Sequence, residues 1–136
     1  MKTGEKIRRV RELRGMTERE LGLKCGFGKG KEAKRRIVQY ENGIREPKEA
    51  QVRRIASALG VSPAALLVTT HDPVVDLVES FFWKEEEDPD GLMCAAQRLS
   101  QAFTCMEYMQ KRRAEGFITR EQYLEWKLRA FEYEEG

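Results

Sequence analysis

Apolar residues along the chain recur at intervals of three and four, the period of an amphipathic helix, and no strand-like alternation persists. A first helix over residues 4–14 sets Ile7, Val10 and Leu13 on one stripe and stops at Gly15. The second opens with a capping box: the Thr17 hydroxyl accepts from the Glu20 amide while the Glu20 carboxylate reaches back. Met16 and Leu21 are placed as its hydrophobic staple, Gly22 is its weak point, and Cys25-Gly26 closes it. A flexible, basic, glycine-rich loop over residues 26–31 leads to a third helix over residues 31–41, with Ala33, Ile37 and Tyr40 inward and Asn42-Gly43 at its end. Pro47 suits the first turn of a fourth helix whose core face is Val52, Ile55, Ala56 and Leu59, with Gly60 as terminator. Ser62-Pro63 caps a short fifth helix ending at Leu66-Leu67.

Beyond a polar connector over residues 68–72, Pro73 begins another helix, with Val74, Leu77, Val78, Phe81 and Phe82 at i, i+3, i+4, i+7 and i+8. The acidic run over residues 85–90 is expected to interrupt it, and Asp88-Pro89 to cap and open a long helix reaching about residue 115. Within that helix Leu92, Ala96, Leu99, Phe103 and Met106 make a heptad-like seam. Gly116 stops it, and a second capping box over Thr119 to Gln122, with Ile118 and Tyr123 as staple, opens a last helix through Tyr133. The fold class is therefore all-α.

A length of 136 residues has room for one ordinary domain or two small ones. The division expected is 1–68 and 69–136, because charge changes sign there. Residues 1–67 hold 17 Lys and Arg against 8 Asp and Glu, a net of +9; residues 68–136 hold 8 against 15, a net of −7. A basic module followed by an acidic one suggests a polyanion-binding half joined to a half with another task, although two solvated surfaces could also differ in sign. No apolar run approaches the roughly 20 residues of a membrane span, and the start lacks the apolar stretch of a signal peptide, so a cytoplasmic protein without membrane partners is expected. Cys25, Cys94 and Cys105 match no zinc or disulfide spacing, and His71, the single histidine, sits in the connector without a partner for catalysis. No cofactor, metal site or enzymatic motif is expected; GFGKGK in particular follows a helix and lacks the spacing of a phosphate-cradling loop.

The order Thr17-x-x-Glu20-Leu21, Ile37-x-x-Tyr40-Glu41-x-Gly43, Pro47 and a closing Leu59-Gly60-Val61-Ser62 resembles the helix-turn-helix domains of the Cro and phage-repressor type, the Xre family, over residues 4–67. That resemblance implies a five-helix DNA-binding domain that binds double-stranded DNA by sequence, its third helix entering the major groove. Carried over by position, the base-reading residues are Lys34, Arg35, Arg36, Val38 and Gln39, types able to bond guanine or adenine or to touch a thymine methyl. The phosphate-contact candidates are Lys29, Lys31, Asn42 and Arg45, and Arg11 with Glu41 matches the family's structural salt bridge. Two features depart from the family: Glu18 stands where a phosphate-contacting Gln is usual, and residues 26–37 are roughly five residues longer than the tight turn of the motif. The final segment, Glu115-Gly116-Phe117-Ile118-Thr119 through Tyr123-Leu124-Glu125-Trp126-Lys127, is similar to tails of Xre regulators from Gram-positive mobile elements. The function implied is a transcriptional regulator, a repressor, with an antitoxin-like protein or an adaptor that has lost DNA binding as rivals. The acidic half, rich in aromatics (Phe81, Phe82, Trp83, Phe103, Tyr108, Tyr123, Trp126, Phe131), either dimerises through Leu92, Ala96, Leu99, Phe103 and Met106, closes its own three-helix core, or engages another protein.

Overall fold

A computed structural model describes residues 1–130. It contains α1 (Thr3–Leu13), α2 (Glu18–Lys24), α3 (Lys31–Glu41), α4 (Glu49–Leu59), a single 3-10 turn (Pro63–Ala65), α5 (Pro73–Glu87), α6 (Pro89–Ala114) and α7 (Arg120–Arg129), with no strand among the described residues. The protein is all-α. Phe131 and the expected end of the last helix at Tyr133 lie outside the described residues.

The chain divides into two compact units, Met1–Glu87 and Asp88–Gly136. The first closes around Ile7, Leu21, Ile37, Val52, Ile55 and Leu66, all fully buried. Each such side chain contributes on the order of 1.5–3 kcal/mol of apolar burial. Ile7 comes from α1, Leu21 from α2, Ile37 from α3, and Val52 and Ile55 from α4, so the 3.6-residue stripes meet in one core. Leu13 departs from its expected place: it is 68% exposed, and the α1 stripe ends at Val10. At the α2 start only half of the expected box closes: Thr17 Oγ1 accepts from the Glu20 amide at 3.1 Å without the return bond. Gly22, read from sequence as a weakness, is where α2 meets α3. A Cβ there would sit 2.3 Å from the Ala33 carbonyl oxygen, so only glycine permits the approach.

Three further boundaries differ from expectation. Pro47 precedes the α4 N-cap, Lys48, rather than occupying the first turn. The fifth helix is the 3-10 turn, started by Ser62 Oγ accepting from the Ala64 amide. The acidic run interrupts the helices as expected, but at its middle: glutamate is a good helix former, so Glu85 to Glu87 extend α5, and the break falls at Asp88-Pro89, where proline disfavours helical geometry in the residue before it.

The first unit thus extends past residue 68. Trp83 Nε1 donates to the Ala65 carbonyl at 2.8 Å, and Lys6 Nζ lies 5.8 Å from the Trp83 ring while donating to the Leu67 carbonyl at 3.0 Å. Arg9 pairs with Glu86, and the amino terminus with Glu87. These contacts tie α5 to α1 and the 3-10 turn.

In the second unit Asp88 caps α6 by accepting from the Gly91 amide at 3.0 Å. Both bonds of the Thr119–Gln122 capping box are present, at 2.8 and 3.1 Å. Helix α7 returns on the end of α6, with Tyr123 buried, Trp126 stacked obliquely on it and the Arg113 guanidinium 5.6 Å above its ring. Along the expected seam Leu92, Leu99 and Met106 are half-buried, whereas Ala96 and Phe103 are exposed. Among the described residues no helix is long and apolar enough to cross a membrane, and no group of ligating side chains could hold a metal.

Candidate nucleic-acid interface

Successive residues of α3 turn by about 100°. Ala33, Ile37, Tyr40 and Glu41 face the core, which leaves Lys31, Arg35, Val38, Gln39 and Asn42 on the opposite arc and Lys34 and Arg36 on its two flanks. Lys31, Lys34 and Arg35 are exposed and make no ion pair among the described residues; Val38 and Gln39 are half-buried. Beyond the helix the Gln39 carbonyl accepts from the Ile44 and Arg45 amides, at 3.0 and 3.2 Å, which brings exposed Arg45 back beside the helix end. Lys34 lines a cleft of about 500 Å³ with Arg19 and the residues that start α2.

Below this surface lies a charged network. Glu41, its side chain 1% exposed, accepts from Arg11 Nε and Nη2, both at 2.9 Å, and from Arg8 Nε at 3.3 Å. The hydrogen bonds it donates to Glu41 hold the Arg11 guanidinium above its usual range, so it stays charged. Arg11 also donates to the Met16 carbonyl at 2.9 Å and lies 4.0 Å from Glu18. Glu18, the departure from the family, is therefore turned toward an arginine of its own domain. This network joins α1, the start of α2 and the end of α3, and so fixes the register of the outward arc.

Sequence reasoning missed two arginines here. Arg8 Nη2 donates to Asn42 Oδ1 at 2.6 Å, orienting that amide at the end of the reading helix. It lies one turn before Arg11 on the same face of α1, which was the available signal. The Arg19 guanidinium reaches the α2–α3 turn, 3.8 Å from where a Gly30 Cβ would stand. No periodicity marks it.

Residues 7–66 match a family model described as helix-turn-helix. The N-terminal segment is a helix-turn-helix domain of the Xre type. Helix-turn-helix is a DNA-binding family rather than an enzyme family, and the match covers the exposed arc of α3, the buried network beneath it and the core. No curated protein and no solved structure matches the chain significantly. In this helix-turn-helix domain the turn between the two motif helices, residues 25–30, is longer than the usual three to four residues. Its sequence suggests a flexible loop, yet Phe27 within it is 5% exposed and belongs to the core.

Proposed function

We propose that the protein is a sequence-specific regulator of transcription, a repressor, that binds double-stranded DNA as a homodimer. The observation that carries the reading is the outward arc of α3, where Arg35, Val38 and Gln39 stand together over a buried ion-pair network. Arginine bonds guanine O6 and N7, glutamine pairs with adenine, and valine meets the thymine methyl, so this arc suits a major groove. Lys34 extends it on one side. Lys29, Lys31, Asn42 and Arg45 surround it with donors for phosphates, which position the domain without reading sequence.

One reading helix gives limited area and specificity, so a pair of domains on two half-sites about 34–36 Å apart is the economical arrangement. The unit that begins at Asp88 supports pairing through Leu92, Ala96, Leu99, Phe103 and Met106, because Phe103 on this seam is 48% exposed. A dimer seated on an operator would exclude the transcription machinery, which is repression. In vitro selection from random duplexes at a stated salt concentration is expected to enrich a near-palindromic site. Selection that enriches no motif would overturn the reading.

A further inference from the structure

The lengthened turn between α2 and α3 is built rather than loose. The Phe27 amide donates to the Gly22 carbonyl at 3.1 Å, and the Phe27 ring meets Tyr40 edge-on, centroids 6.0 Å apart at 75°. Arg36, one helical turn before Tyr40, closes over both: its guanidinium lies 4.9 Å from the Phe27 ring centroid and its Nε donates to the Tyr40 hydroxyl at 3.2 Å. An arginine stacked and hydrogen-bonded in this way is drawn toward the turn and away from the outward arc. The turn's tip stands on this base. Lys29 is flanked by Gly28 (φ 117°) and Gly30 (φ 53°), conformations that residues with a Cβ rarely adopt. Lys29 is exposed, and Arg19 approaches Gly30 from α2.

We infer that Arg36 is a positioning residue rather than a base reader: through Phe27 and Tyr40 it holds the turn as a mount that sets Lys29, with Arg19 beside it, on a DNA phosphate flanking the reading arc. The inference rests on the DNA-binding reading proposed above. It makes the extra residues of the turn a second anchor on the backbone and leaves base selection to Lys34, Arg35, Val38 and Gln39.

The test is in vitro selection and salt titration of the full chain carrying Arg36→Ala, Arg36→Lys, Phe27→Leu, Lys29→Ala or Lys29→Ala with Arg36→Ala. All are expected to select the wild-type sequence. Lys29→Ala, Arg36→Ala and Phe27→Leu should each lower the slope of log affinity against log salt by about one unit, the loss of one phosphate contact. Phe27→Leu does so without changing charge, and Arg36→Lys, which retains the charge but not the planar fork, resembles Arg36→Ala. The double variant should lose no more slope than Lys29→Ala alone. Relaxed base preference in Arg36→Ala would make Arg36 a reader, and a two-unit loss in the double variant would make it an independent phosphate contact; either overturns the inference. A Phe27→Leu or Arg36→Lys protein with the wild-type slope also overturns it. Should Phe27→Leu fail to fold, the two Arg36 variants and the double variant still decide. A wild-type protein that selects no sequence defeats the DNA-binding reading itself, a result separate from all of these.

Discussion

The unit Met1–Glu87 and the unit that begins at Asp88 are both built from helices; the first seals a core although Val74, Leu77, Val78 and Phe82 of α5 stay exposed, and the second seals almost none. The first gathers aliphatic side chains from four helices into one sealed core, with a buried carboxylate fully matched by arginines. In the second, Tyr123 is the one buried residue among those described, while Met93, Phe103, Tyr108, Leu124 and Leu128 are all exposed. Local capping specifies α6 and α7 well, but capping does not bury surface, and most helical stability in proteins comes from packing an apolar face. A domain that closes its own core is suited to presenting side chains in fixed register. A unit that leaves apolar residues outside is suited to being completed by a partner, which the proposed homodimer supplies.

The largest effect should come from breaking that completion. Leu99→Asp is expected to abolish the dimer, seen as a monomer by sedimentation at micromolar concentration, and with it tight operator binding. A variant that still sediments as a dimer would move the interface elsewhere. Next in size is damage to the first unit's network. Glu41→Ala leaves the largely buried Arg11 guanidinium with only the distant carboxylate of Glu18, at 4.0 Å, and should cost about 3–5 kcal/mol in urea unfolding. A loss under about 1 kcal/mol, the value of a surface pair, would mean that the network does not hold the register. Smaller still, Gln39→Ala or Arg35→Ala should cost about 1–3 kcal/mol on the selected site and relax specificity at one base pair, leaving folding unchanged. Equal losses on every sequence would shift the reading register.

The smallest effect concerns pH. Burial pushes the Cys25 thiol up to about 11. The unfolded chain therefore gives up this proton first and binds fewer protons between the ordinary thiol range and about pH 11. The group's contribution to stability falls as pH rises through that window. Denaturant melts of wild type and Cys25→Ala between pH 8 and 11 should show a steeper alkaline decline in the wild type. Parallel declines would mean the thiol is not held in the core.

Periodicity and capping made much of this legible in advance. Lys31–Glu41 matches the expected third helix, and Asp88-Pro89 is the start of α6, because both boundaries are set by neighbouring residues. What escaped is what only the folded chain supplies. Phe27 is an aromatic among glycines, with no periodic neighbours to assign it to a face, and its burial depends on Tyr40 thirteen positions away. Gly22 reads as helix-weakening until Ala33 stands against it. Trp83 gave no sign of belonging with the first domain, because its partner is a backbone carbonyl in a 3-10 turn. Among the site residues, helix periodicity gave Ala33, Ile37 and Tyr40 as the inward face, and the reading positions, Arg36 among them, came from the family resemblance; the stacking of Arg36 on Phe27 was visible in neither.

The bond from Trp83 to Ala65 bears on where this protein can be divided. A cut at the change of charge near residue 68 would remove the indole that covers Lys6 and leave the Ala65 carbonyl without its donor. Burial holds the Lys6 ammonium below its usual range, with Glu79 and Glu87 of α5 opposing that effect, so the same cut would return this group to water. A transplantable helix-turn-helix unit therefore ends at Glu87, and the seam for recombination is the single residue Asp88 between α5 and α6.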